Sequence, residues 1–177
     1  MEHGEDIRPP NHPVTLSNDA LLRECVARRF RASGPGGQHR NKIETAVELL
    51  HKSTGVSAAA TERRSQMENQ HVALRRLRLR LAIEVRFVTS AEVYPSNLWK
   101  SRCHNRRIQC SEQHTDFPVL LTEGLNAIHA KDYDVKSAAD ALGCTTSQLV
   151  RFIARVPDAL IRVNSERGAR GLRTLKN

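Results

Sequence analysis

From Arg64 to Arg86 the chain runs without a proline or a glycine. Leu74, Leu77, Leu81 and Val85 recur there at helical spacing, so one long helix is expected, with an apolar stripe turned to a core. Arg75, Arg76, Arg78, Arg80 and Arg86 cover much of the remaining circumference. Such a helix must bury its stripe against another layer, and the preceding residues are strand-like. "VARRFRA" reads as a strand entering a glycine-rich loop, and "ETAVELLHK" and "GVSAAATE" read as a hairpin around the turn Ser53-Thr54-Gly55. The alanines make the second hairpin strand the weaker of the two. "SNDALLREC" opens the region as a short helix capped by Ser17 or Asn18. The order strand, loop, hairpin, helix predicts a small α+β domain over residues 15–86, after a flexible arm over 1–14.

Residues 87–117 mix turn formers with basic residues and read as a connector with short structure of its own. Trp99, the only tryptophan, is expected to pack this connector onto the first domain. Residues 118–177 read as a basic helical module. Leu120, Leu121, Leu125 and Ile128 mark its first helix, and "VKSAADALG" a second that stops at Gly143. "TTSQLVRFIARV" is a third, capped by Thr145 or Thr146, and Pro157 suits the first turn of a fourth. "SAADALGCTTSQLVRF" resembles a helix-turn-helix, and Ala138, Ala139, Leu142, Leu149 and Phe152 are its expected core.

The net charge of +9 and the pI near 10.0 favour a polyanionic partner. Basic residues gather late, at Arg151, Arg155, Arg162, Arg167, Arg170, Arg173 and Lys176. The N-terminus lacks the apolar stretch of a secretory signal and is too acidic for a transit peptide, and no stretch has the apolar length of a membrane span. Cys25, Cys103, Cys110 and Cys144 are scattered, which points to a reducing compartment, the cytoplasm, and no disulfide framework. Cys103, His104, Cys110 and His114 lack the close Cys pair of a zinc knuckle, so no metal is expected. His51 and His71 are expected to be packing or surface residues.

Residues 33–42, "SGPGGQHRNK", place three glycines and a proline before a glutamine. A P-loop fails because its lysine position holds Arg40 and its second glycine position holds His39; the dinucleotide fingerprint fails at His39 as well. Ser33 has no nucleophile elbow around it and no orienting acid beside His39. Two adjacent glycines do have a specific use. They allow backbone to approach another molecule closely and to aim the next N–H outward. Such a donor stabilises the oxyanion of acyl transfer, worth about 2.7–4 kcal/mol. The Gln38 amide lines a pocket and orients water without titrating.

"RASGPGGQHRNK" followed by "ETAVELLHKSTGVSAAATERRSQMENQHVALRRLRLRL" strongly resembles the catalytic domain of class I peptide chain release factors and related ribosome-rescue peptidyl-tRNA hydrolases. Gly36-Gly37-Gln38 matches the family's GGQ motif, Asn41-Lys42 its following Asn-Lys, and Arg64-Ser65-Gln66 with Asn69 the start of its helix. The resemblance spans roughly residues 25–85. It implies hydrolysis, inside the ribosome, of the ester joining nascent peptide to tRNA, with no metal, no cofactor and no covalent intermediate. Gly36 and Gly37 would shape the backbone, the Gln38 N–H would stabilise the transition state, and the Gln38 side chain would exclude nucleophiles larger than water. Methylation of that side chain is a family habit.

Pro35 stands where many members have alanine, and Arg40 where valine is usual. Contacts with rRNA or tRNA are expected from Arg31, Ser33, His39, Arg40, Asn41 and Lys42 in the loop and from Arg64, Ser65 and Gln66 at the helix start. Arg75, Arg76 and Arg78 on the long helix, and Arg151 and Arg155 in the basic module, complete the set, with a solvated face as the alternative for these arginines. About 24 residues precede the matching region, too few for the family's codon-reading domain or its N-terminal helical domain. The expected activity is therefore codon-independent release by a monomer that binds large-subunit rRNA and peptidyl-tRNA and no membrane. The alternative is a ribosome- or nucleic-acid-binding protein that keeps the loop without using it for hydrolysis. A DNA-binding regulator is a further one.

Overall fold

The computed structural model describes residues 12–30, 45–86 and 95–176. The fold is α+β, in two compact units: residues 13–85, and residues 86–176 with His12. In the first unit a 3-10 turn over Pro13–Thr15 leads into α1 (Asn18–Arg23), whose first turn is capped by the Ser17 hydroxyl. Strands β1 (Cys25–Phe30), β2 (Ala46–His51) and β3 (Ser57–Ala60) form an antiparallel sheet in that order. Helix α2 (Gln66–Glu84) packs on β2 and β3.

Val47, Leu49 and His51 alternate onto the buried face of β2, beside Ala58 and Ala60 of β3. Ala73, Leu74, Leu77 and Leu81 of α2 meet them, and each buried leucine contributes about 1.5–3 kcal/mol. Alanine is a poor strand former, but its small side chain lets α2 lie close to the sheet, so packing overrides propensity here. The β2–β3 turn uses Gly55 in the left-handed region, at φ +71°. His51, fully buried, ties this turn down: Nδ1 lies 2.8 Å from the Thr54 hydroxyl and Nε2 3.0 Å from Glu24.

In the second unit α3 (Asn97–Arg102) runs into a short hairpin, β4 (Cys103–His104) and β5 (Arg107–Ile108). Then follow α4 (Phe117–Ala130), α5 (Val135–Ala141), α6 (Thr146–Ala154) and α7 (Pro157–Ala169). Trp99, expected from the sequence to pack the connector onto the first domain, is buried in the core of this unit. Its ring meets Phe152 edge-on at 6.0 Å, and its indole N–H donates to the Leu142 carbonyl at 2.8 Å. Phe117 completes the aromatic core, 5.1 Å from Phe152.

Helix α5 ends as expected at Gly143, φ +68°. The Cys144 N–H reaches back to Ala139 O and the Gly143 N–H to Asp140 O, a Schellman closure. Thr145 then caps α6 by accepting from the Gln148 N–H. Among the described residues, no helix is long and apolar enough to cross a membrane.

Candidate functional site

Gly36, Gly37 and Gln38 lie outside the described residues, as do Arg31, Ser33, His39, Arg40, Asn41 and Lys42. The base on which their loop stands is described in detail. Strand β1 ends at Phe30 and β2 begins at Ala46, and these two residues are direct partners in the antiparallel register. The fourteen residues 31–44 and Thr45 therefore leave and rejoin the sheet at one point.

Asn69 of α2 holds the returning end. Its side chain is fully buried, with Nδ2 donating to the Thr45 carbonyl at 2.7 Å and to the Arg63 carbonyl at 2.9 Å. Its Oδ1 accepts from the Arg63 N–H at 2.9 Å. One amide thus pins the last residue before β2 to the segment that starts α2. Only an amide supplies two donors and an acceptor without charge in so small a volume. The sequence showed Asn69 as part of a motif but gave it no role; the interval of 24 residues to Thr45 hides the contact.

Ser65 caps α2, accepting from the Glu68 N–H at 3.5 Å. With the Gln66 amide oriented by its surroundings, its oxygen accepts from the Arg29 guanidinium at 2.7 and 3.2 Å, joining the helix start to the end of β1. Arg28 and Arg64 are exposed near this base. The side chains expected to face RNA thus divide between structural links (Ser65 and Gln66) and an open charge (Arg64).

Arginines of α2 also make structural links. Arg78 donates to the Val14 carbonyl (2.8 Å), the Leu16 carbonyl (2.7 Å) and the Asn18 side chain (2.9 Å), fastening the segment before α1 to the helix. Arg76 donates to Ala59 O at 2.8 Å and pairs with Glu62 at 2.8 Å. The Glu62 carboxyl is held below its ordinary value, first by the Thr61 N–H and further by Arg76. Arg75 is exposed on the same helix.

In the second unit Arg151 is exposed on α6, whereas Arg155 donates to the Cys110 carbonyl and lies over the Phe152 ring. Burial raises the thiols of Cys25, Cys103 and Cys110, and pushes Cys144 up to about 12, so none is an activated nucleophile. His114 faces Arg102 and Asp116. Among the described residues, no three His, Cys, Asp or Glu side chains are grouped to hold a metal ion.

The RF-1 domain family model matches residues 20–115, more than half of the chain, and this range includes the GGQ motif. The chain is 47% identical over 74 residues to peptide chain release factor 1 of Acidiphilium cryptum, covering 42% of this chain and 20% of that protein. It is 36% identical over 132 residues to peptide chain release factor 1 of Frankia casuarinae, covering 63% and 37%. It is 48% identical over 70 residues to peptide chain release factor 2 of Thermomicrobium roseum, covering 38% and 19%. The chain thus spans between about a fifth and somewhat over a third of these relatives' lengths. With the motif, the strand register beneath it and the matched range in agreement, the chain belongs to the RF-1 domain family of peptide chain release factors.

Proposed function

We propose that residues 15–86 form the catalytic domain of a peptidyl-tRNA hydrolase that works in the peptidyl-transferase centre of the ribosome, as a cytoplasmic monomer, without reading a codon. The reading is carried by one observation: the GGQ tripeptide lies between two strand ends paired at Phe30 and Ala46, with the returning end pinned by Asn69. A loop based this way can carry its tip to a distant substrate while its feet stay fixed.

Water attacks the ester carbonyl, the bond to the tRNA ribose oxygen breaks, and that oxygen leaves with a proton. The Gln38 N–H stabilises the developing oxyanion or the leaving ribose oxygen, and the Gln38 amide bars larger nucleophiles. Neither role needs a group that titrates near neutral pH. The ribosome supplies the remaining site and holds the ester in place. Arg64 and the loop residues Arg40 and Lys42 contact rRNA phosphates. The second unit, a helical bundle with exposed arginines, is suited to phosphate contact.

The test is release of labelled peptide from ribosomes stalled on truncated mRNA. Wild type releases peptide, and Gly37→Ala and Gln38→Pro lose at least about 100-fold, since one restricts the backbone and the other deletes the N–H. Equal rates for all three reject the loop chemistry. Tight ribosome binding by wild type without release establishes instead a non-catalytic binding protein.

A further inference from the structure

The second unit carries two exposed arginines on elements that pack together, Arg107 on β5 and Arg151 on α6, and neither has a side-chain hydrogen bond or ion pair among the described residues. The β4–β5 hairpin turns through Asn105 (φ 50°) and Arg106 (φ 61°), a two-residue turn with both centres left-handed, which suits the strand twist. Arg106 then locks the hairpin onto the α5–α6 turn. Its carbonyl accepts from the Thr145 N–H at 3.3 Å, and its guanidinium donates to the Cys144 carbonyl and to Asp140, both at 3.1 Å. Ile108 is buried beneath.

The residue after it, Arg107, is exposed, and its side chain has no hydrogen bond or ion pair among the described residues. On α6, Leu149, Val150, Phe152 and Ile153 face the core, leaving Thr146, Ser147 and Arg151 exposed. The Arg151 side chain likewise has no partner among the described residues. The nearby acid Asp140 is already engaged by Arg106. The hairpin and the start of α6, which pack together, thus present two exposed guanidinium groups, two exposed hydroxyls and the exposed Asn105 amide.

We propose that this shoulder, formed by the β4–β5 hairpin and the first turns of α6, grips the phosphate backbone of a ribosomal RNA helix; the choice of ribosomal RNA rests on the function proposed above. Hydroxyl, amide and guanidinium groups bind phosphate and fix position without reading sequence. A helix that reads DNA bases in the major groove presents long bidentate side chains at several positions. Here the fully exposed side chains of α6 are two short hydroxyls, Thr146 and Ser147, and one long one, Arg151; Gln148 is half-buried, and Arg155, just past the helix, is exposed but donates to the Cys110 carbonyl. The matched family range also runs through the hairpin to residue 115, so this edge is continuous with the release-factor part of the chain.

The experiment uses the full chain, wild type and the pair Arg107→Glu with Arg151→Glu, titrated onto ribosomes, a synthetic RNA duplex and a DNA duplex of the same sequence, from about 50 to about 200 mM salt. The double variant should bind ribosomes at least about 10-fold more weakly, with the salt dependence shallower by about 1.4–1.8 log units per log unit of salt. Its thermal midpoint should match wild type, so that the lost affinity is not a folding defect. Arg107→Gln with Arg151→Gln should show the same loss of slope with no added repulsion. Unchanged affinity and slope in both pairs overturn the proposal, and so does preference for the DNA duplex over the RNA. A wild type that binds as expected but releases no peptide strikes the hydrolase reading and leaves the RNA grip standing.

Discussion

Arginines of α2 and two at or near α6, Arg151 and Arg107, look alike in sequence and differ in what they do. Arg78 is committed to two backbone carbonyls and Asn18, and Arg76 and Arg80 to carbonyls of β3 and to Glu62 and Glu84. Arg107 and Arg151 have no such partners among the described residues. A run of basic residues is therefore not by itself an RNA surface. What matters is which charges the fold leaves unspent, and in this chain the denser run is the more structural one.

The comparison can be broken by stability measurements. Arg78→Met should have the largest effect, a loss of about 1.5–3 kcal/mol, the range for hydrogen bonds from charged groups. On a unit of this size that lowers the melting midpoint by several degrees. The Arg107 and Arg151 variants should stay within about 0.5 kcal/mol of wild type. An Arg78→Met chain as stable as wild type, with weakened ribosome binding, would move Arg78 into the RNA-facing set and erase the distinction.

Asn69→Asp should cost about 1–3 kcal/mol, because a buried carboxylate then faces two carbonyls that have lost their donor. It should also slow peptide release at saturating protein more than it weakens ribosome binding, since the loop end is loosened while the RNA contacts remain. Equal loss in the two would assign Asn69 to general folding alone.

A smaller effect separates the units by pH. Glu123 is buried, and desolvation raises its pKa above the ordinary value, opposed by hydrogen bonds from the Ser96 N–H (2.7 Å) and hydroxyl (2.6 Å). A carboxyl raised on folding stabilises most when protonated, and that contribution is lost as pH rises from about 4.3 through the folded value. The difference in melting midpoint between Glu123→Gln and wild type should therefore shift in the variant's favour from acid toward neutral pH. A difference that does not move with pH would mean that Glu123 is not raised.

Much of the first unit was legible in the sequence because its signals are local. The stripe Leu74, Leu77 and Leu81 gave α2, Ser17 caps α1, and in the second unit Gly143 closes α5, as capping chemistry requires. What stayed hidden was long-range. Trp99 sits in a polar stretch that says nothing of which core receives it. The hairpin of residues 103–108 turns through Asn105-Arg106, without the glycine that usually betrays such a turn. Arg78 bonds to carbonyls more than 60 residues away, and a solvated arginine at that position would read the same. The GGQ tripeptide was the reverse case, plain as a motif, while the Asn69 amide that anchors its return became visible only in three dimensions.

The most direct measurement is single-turnover release of labelled peptide by wild type and by Gln38→Pro, on ribosomes whose decoding site is empty, holds a stop codon or holds a sense codon. The account predicts release by wild type on the empty site, no acceleration by a stop codon, and a loss of at least about 100-fold in the variant. Release by Gln38→Pro at the wild-type rate, or wild-type release that requires a stop codon, would contradict it.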